Sequence, residues 1–308
     1  MITHYFTSDP KREREVLTAS KVGAWTHVVA PTEDELESLM HEYNLDEAII
    51  EDIKDMFEVP RFEQDGSISY FFTRYPYDVK DVDIDTAPIL IILGETFLVT
   101  IAETEDVPFL TPFMEGKREF ATTQKTTLFL EFMYELVGTY ERKLTRIRKR
   151  VYRDMGRVRD IGSRDIQRLV FMEQELNETM SALVPTLGWL QQLTKGNYIQ
   201  MFSDDREFLE DLLIANTQLI DSTNSILKTI QNIRNASEAI LTQNLNATIR
   251  RLTAFTIVLT IPTLISSIFG MNVALPFEDN QHAALYIGGF IVIVVSATIY
   301  FFRSNRWI

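Results

Sequence analysis

The strongest pattern of apolar positions lies in the last third of the chain. From Asp204 to Met271, Leu212, Leu219, Ile226, Ile233 and Ile240 recur every seven residues, flanked by Leu213, Ile220, Leu227 and Leu241. A seam of this kind predicts one very long helix that packs on partners or on the helices before it. At ~1.5 Å per residue it would extend on the order of 100 Å. Its final part changes character: from Leu252 to Phe277 there is no charged residue, which is enough for one membrane span of roughly 20 residues. A second uncharged run, Ala283 to Phe302, follows a short loop and carries few hydroxyls, Ser296 and Thr298 among them.

The first of these runs is not uniformly apolar. Thr253, Thr256, Thr260, Thr263, Ser266 and Ser267 sit within it, mostly three or four residues apart and so on one helical face. The stripe begins well before the span. Ser225, Asn232, Ala239, Asn246, Thr253, Thr260 and Ser267 form one seven-residue series; Lys228, Asn235, Thr242, Ile249, Thr256, Thr263 and Gly270 form another. Hydroxyls in a membrane helix commonly bond back to their own backbone or across to a neighbour. A stripe that runs unbroken into the bilayer fits better a helix lining a water-filled path. Two spans cannot enclose such a path, so conduction requires self-assembly. A straight helix drifts ~20° per heptad, so the helices must supercoil or the stripe wanders.

The N-terminal part, residues 1–121, alternates short helices and β-type runs. Pro31 to Tyr43 carries Thr32 with Glu35 three residues on, a capping box. Leu45 to Phe57 repeats the pattern behind Asp46. Ile68 to Tyr77, Ala87 to Leu93 and Thr96 to Ala102 read as strands, the last two joined at Gly94-Glu95 as a hairpin. A small sheet flanked by helices is expected. Residues 122–203 turn helical, with breaks near Gly162 and Gly196, and the first helix carries Leu128, Phe132, Leu136, Tyr140, Leu144 and Ile147. Its second half is basic, from Arg142 and Lys143 through Arg146, Arg148, Lys149, Arg150 and Arg153 to Arg157 and Arg159. Such a run is ordinarily a solvated face; an electrostatic role toward a metal-binding centre is the next reading.

Composition narrows the function. The 308-residue chain of 35.7 kDa has a formal charge of −14 and a pI of about 4.8, which argues against general binding to nucleic acid. Cysteine is absent, and the four histidines, His4, His27, His41 and His282, have no ligand spacing, which excludes thiolate sites and gives no zinc pattern. No nucleophile–base set or phosphate loop is present, so an enzyme is not expected. The N-terminus has no apolar h-region. Arg250 and Arg251 precede the first span, and Arg303 and Arg306 follow the second. The positive-inside rule then puts both termini in the cytosol, in a plasma (inner) membrane, with loop 273–282 outside.

The first span closes in Phe269-Gly270-Met271-Asn272, a second span begins about ten residues later, and a basic tail ends at Trp307. Here the sequence resembles the CorA magnesium transporters, whose signature is a Gly-Met-Asn triplet at the end of the first of two C-terminal spans. Glu51-Asp52, Pro60-Arg61 and the aromatic strand after them extend the likeness into the N-terminal domain. The resemblance implies an α+β membrane protein: cytosolic α/β domain 1–121, helical region 122–203, stalk helix 204–251, first span 252–272, external loop 273–282, second span 283–302 and tail 303–308. It also implies a funnel-shaped homopentamer in the lipid bilayer that moves divalent cations, Mg2+ first, with cytosolic Mg2+ closing the pore.

The site residues follow from the same likeness. Gly270, Met271 and Asn272 would form the selectivity filter, where neutral Asn272 amides accept hydrogen bonds from the water shell that Mg2+ keeps. Gly270 is expected to let the chain turn tightly at the helix end. Asn246, Ile249, Leu252, Thr253, Thr256, Thr260, Thr263 and Ser267 would line the pore, with Ile249 and Leu252 as a hydrophobic gate. Glu278 and Asp279 would attract cations outside. Asp211 aligns with the family's stalk aspartate for regulatory Mg2+; its acidic partner is not identified among Asp81, Asp83, Asp85 and other carboxylates.

Several positions depart from the family pattern. Phe269 replaces the usual Tyr, Leu275-Pro276-Phe277-Glu278 stands in place of the usual Met-Pro-Glu-Leu, and Thr260 stands where others carry an apolar side chain. A transporter of zinc, as in the related ZntB branch, or of cobalt or nickel is the near alternative. A non-conducting membrane-anchored sensor or scaffold is the alternative of another class, and it gives no use to the six hydroxyls.

Overall fold

The structure is a computed structural model that describes residues 1–11, 14–77, 86–155, 163–196, 198–272 and 282–307. It divides into two compact units, Met1–Asn232 and Ile233–Ile308.

The first unit is built on a seven-stranded sheet rather than the small one expected. In chain order the strands are β1 (Ile2–Phe6), β2 (Glu15–Leu17), β3 (Trp25–Val29), β4 (Arg61–Asp65), β5 (Ile68–Pro76), β6 (Thr86–Leu93) and β7 (Leu98–Ala102), arranged β2-β1-β3-β7-β6-β5-β4. Among the described residues only β3 and β7 pair in parallel; the other neighbours are antiparallel. The β6–β7 hairpin falls where Gly94-Glu95 predicts it, closed by the Gly94 N–H on the Phe97 carbonyl at 3.1 Å. A Cβ on Gly94 would meet the Phe97 ring at 2.3 Å, and that ring is held 4.6 Å from Tyr43, so the turn needs the missing side chain.

Helices cover the sheet on both faces. On one lie α1 (Glu33–Tyr43) and α2 (Glu47–Glu51), the latter followed by a 3₁₀ turn over Asp52–Lys54. Thr32 and Glu35 form the expected reciprocal cap of α1, and the Asp46 carboxylate caps α2. Leu36, Leu39, Ile50 and Ile53 from these helices enclose Tyr70, Phe72, Leu90, Ile92, Val99 and Ile101 of the sheet. The opposite face takes α4 (Lys125–Met155) and α5 (Ser163–Lys195); Phe71 lies 4.5 Å from Phe129 and 5.3 Å from Trp189. The four-residue α3 (Thr111–Met114) adds Phe113, edge-on to Phe132 at 4.8 Å. All eight residues of β6 are buried, as expected for a sheet covered on both sides.

Helix α6 runs without interruption from Ser203 to Phe269. In the first unit its buried positions are Asp205, Leu209, Leu212, Asn216, Leu219, Thr223, Ile226 and Ile230, alternating steps of four and three. The seam therefore differs from expectation. Leu212, Leu219 and Ile226 are in it, but their partners are Leu209, Asn216, Thr223 and Ile230, while Leu213, Ile220 and Leu227 are only half-buried. A two-helix contact needs the 3-4 spacing, which places the second row four residues after the first rather than one. Two polar members bond within the bundle: Asn216 Nδ2 donates to the Leu183 carbonyl of α5 at 3.1 Å while its Oδ1 has no partner among the described residues, and Thr223 donates to its own helix at 2.8 Å. In the same unit, Thr127 of α4 donates to Asp205 of α6 at 2.8 Å, and Arg148 reaches the Ser222 hydroxyl.

The second unit holds the remainder of α6 and α7 (Ala283–Ser304). Both helices are long and apolar enough to cross a membrane, and only 6% of either apolar window is buried. Leu259, Leu264, Leu285, Val292, Ile293 and Tyr300 are all exposed. Apolar surface of this extent requires a bilayer, other copies or both to cover it.

Candidate functional site

Every stripe position expected to line a path is exposed in the single chain: Asn246, Ile249, Leu252, Thr253, Thr256, Thr260, Thr263 and Ser267, with Gly270, Met271 and Asn272 beyond them. The hydroxyls do bond back to their own helix. Thr253 donates to Ile249 O at 2.9 Å, Thr256 to Leu252 O at 2.9 Å, Thr260 to Thr256 O at 2.7 Å and Thr263 to Leu259 O at 3.0 Å. This is the ordinary behaviour of threonine in an apolar helix. It also has a chemical consequence, because a hydroxyl has one proton and two lone pairs. With the proton committed to the backbone, each oxygen faces outward as an acceptor. A column of acceptors suits a hydrated cation, whose water ligands present hydrogens.

Helix α6 ends at Phe269. The Gly270 N–H bonds to Ser266 O at 3.0 Å and Ser267 O at 3.2 Å, and the Met271 N–H to Ile268 O at 3.3 Å. Gly270 does not take a left-handed conformation at the helix end: the positive-φ glycines among the described residues are Gly23, Gly66 and Gly116. A Cβ on Gly270 would meet Ser266 O at 3.4 Å and Ser267 O at 3.6 Å, ordinary contact distances. A simple tightening of hydrogen bonds at the last turn ends the helix, so its end does not need glycine within one chain. The Asn272 side chain makes no hydrogen bond among the described residues and is exposed. It therefore does not cap α6.

Asp211 is exposed on α6, facing away from the buried seam. Among the described residues no group of three or more His, Asp or Glu side chains is close enough to hold a metal ion. Its suggested partners Asp81, Asp83 and Asp85 lie outside the described residues, as do Glu278 and Asp279. Of the basic run, Arg142 donates to Glu135 at 2.9 Å and Lys143 is buried, while Arg146, Lys149, Arg150 and Arg153 are exposed. These four match a solvated face. At the end of α7, Arg306 adopts φ 58 and the Trp307 N–H returns to Phe302 O at 2.9 Å. This left-handed stop stacks Trp307 on Phe302 at 5.4 Å.

One polar group escaped the sequence reading. Glu131 borders a cavity of about 770 Å³ lined also by Thr127, Gln200, Asp204 and Asp205. Burial pushes its carboxyl up to about 7, with Arg118 opposing the shift. In sequence it is one charge in the apolar run Leu128 to Met133, and only the packing of α4 beside the start of α6 reveals its enclosure.

Comparison with known proteins bears on the whole chain. The family model described as CorA-like Mg2+ transporter protein matches residues 20–304. The cobalt/magnesium transport protein CorA of Methanocaldococcus jannaschii is 22% identical over 298 residues, which are 92% of this chain and 91% of that protein. The complete structure of the CorA magnesium transporter from the same organism matches with a TM-score of 0.88 at 19% identity, over 100% of this chain and 99% of that one. The full-length CmaX protein matches with a TM-score of 0.78 at 16% identity, over 100% and 98% of the two chains. At these identities the two structures establish the fold.

Proposed function

Because the chain belongs to the family of CorA-like Mg2+ transporter proteins, we propose that it carries hydrated Mg2+ across a membrane along the polar face of α6, repeated around the axis of a homopentamer. The single observation that carries this reading is the exposed column of hydroxyl acceptors on an otherwise apolar helix. An anchor for a sensor or scaffold gains nothing from that column. Magnesium dehydrates reluctantly, so neutral acceptors can pass it from water to water without holding it. Asn272 stands at the end of this column and Asn246 near its beginning, both amides exposed.

The test is Mg2+ entry into proteoliposomes followed with a magnesium indicator dye, with cobalt, nickel and zinc as competitors. Entry above that of protein-free vesicles is expected, and native mass spectrometry should show a fivefold multiple of the 35.7 kDa chain. Zinc entry without magnesium entry would select the alternative cation. No entry of any of the four, or a monomer in the membrane extract, would remove the transport reading.

Regulation by cytosolic Mg2+ is assigned to Asp211. An exposed carboxylate between acidic copies of one chain repels its neighbours, and a bridging cation offsets that repulsion. Binding therefore favours the closed arrangement in proportion to its preference for it. Asp211→Ala and Asp211→Lys should each weaken Mg2+-dependent protection from protease and raise the internal Mg2+ needed for half-inhibition several-fold. Protection and inhibition unchanged in both variants would leave Asp211 a solvated surface residue.

A further inference from the structure

We propose that Lys228 forms an electropositive collar at the cytosolic end of the ion path, which holds divalent cations off and restrains their movement from the cytosol outward. The inference rests on the transport reading above, with α6 as the lining helix of a symmetric assembly. The two seven-residue series between Ser225 and Gly270 contain fourteen positions, and Lys228 alone among them is charged. The others are Ser, Thr, Asn, Ala, Gly and one Ile. A positive charge is the least expected choice for a cation path, so its presence there calls for a role.

The surroundings of Lys228 leave its charge uncompensated. Its side chain is exposed, and it makes no ion pair among the described residues. Its neighbours one turn away on α6 are Asn224, Ser225, Gln231 and Asn232, all neutral. The nearest carboxylate on the same helix, Asp221, is seven residues back, ~10 Å along the axis and so about one screening length away at physiological salt. Both neighbouring helices pack on α6, α4 where Arg148 reaches Ser222 and α5 where the Leu183 carbonyl accepts from Asn216. Helix α4 contributes further cations, Lys149, Arg150 and Arg153, all exposed, and α5 carries the carboxylates Glu173, Glu175 and Glu178, none of which pairs with Lys228. A lone solvated lysine would have no effect on ions, but repetition around an axis sums the potentials where the ions pass. The collar lies 24 residues before Leu252 on the chain, so it acts on access from the cytosol rather than on selection in the membrane.

The experiment measures Mg2+ entry into inverted membrane vesicles, which present the cytosolic face, and into right-side-out vesicles, for full-length Lys228→Gln, Lys228→Glu and Lys228→Arg. At low ionic strength Lys228→Gln should raise entry into inverted vesicles on the order of threefold, Lys228→Glu should raise it more, and Lys228→Arg should match the parent. The gain should shrink as salt is raised, because screening removes the barrier in the parent protein. Entry into right-side-out vesicles should change much less. Parental rates for both the Gln and Glu variants in inverted vesicles, or a gain that salt leaves untouched, would overturn the collar. Absence of Mg2+ entry in the parent protein itself is a separate result: it rejects the transport reading, and the collar falls with it.

Discussion

Asn272→Ala is expected to abolish Mg2+ uptake while leaving the protein folded and assembled. Two roles compete for this side chain. As a helix cap it would stabilise the end of α6 by about 1 kcal/mol, and its loss would be felt in stability alone. The geometry removes that role: the last turn is closed by the backbone N–H groups of Gly270 and Met271, and the Asn272 amide bonds to nothing among the described residues. As one member of the proposed ring, the amide oxygen would instead receive a hydrogen from the water shell of the ion. Such a bond contributes about 0.5–1.5 kcal/mol, and the alanine change removes it from every copy at once. Since about 1.4 kcal/mol is a factor of ten, uptake should fall at least tenfold. Asn272→Asp should fail differently, binding the cation more firmly and releasing it more slowly. Gly270→Ala has room within one chain, so its expected loss of uptake comes from crowding at the assembled mouth. The measurement is growth rescue of a bacterium deficient in magnesium uptake, read beside membrane expression and oligomer size. Full rescue by Asn272→Ala at normal expression would exclude the filter role.

The second large effect is expected at Ile249 and Leu252. Both are exposed, at 51% and 67%, between the amide of Asn246 and the hydroxyl of Thr253. They interrupt a polar stripe with two bulky apolar side chains, and in a ring these exclude water from a narrow section. Dewetting is a steep function of lining polarity, so one amide or hydroxyl per copy should rewet the section. Ile249→Asn and Leu252→Ser are therefore expected to keep Mg2+ flux high at internal Mg2+ that shuts the parent protein, a gain of tenfold or so if closure is set by water exclusion alone. The assay is flux into vesicles preloaded with increasing Mg2+. Parental closure in both variants would move the constriction to another part of the stripe.

Much of this site was legible without coordinates because helices write their contacts in a short period. The seven-residue repeat identified α6 and its span, and the capping box at Thr32 and Glu35 located the start of α1. The strands β1, β2, β3 and β4 were not read. Thr26 and His27 are polar yet buried in β3, where His27 Nδ1 meets Thr100 Oγ1 at 2.8 Å and Trp25 Nε1 donates to the same oxygen at 2.9 Å. Residues whose polarity is satisfied by a neighbouring strand look like loop in a pattern search, since the partner is 73 or 75 residues away. The same limit explains Glu131, whose cavity is made by residues from both ends of the helical region.

The sequence by itself determined the family, the two spans, the polar face of α6 and the residues standing on it, because each depends on neighbours within a turn or two of one helix. Only the tertiary structure decided which rows of α6 are buried, that the strands join in one seven-stranded sheet, that Gly270 ends the helix without a left-handed turn and that Asn272 is free of it. Those outcomes depend on contacts between segments far apart in the chain and on the backbone path at one residue, and neither leaves a periodic trace in the order of amino acids.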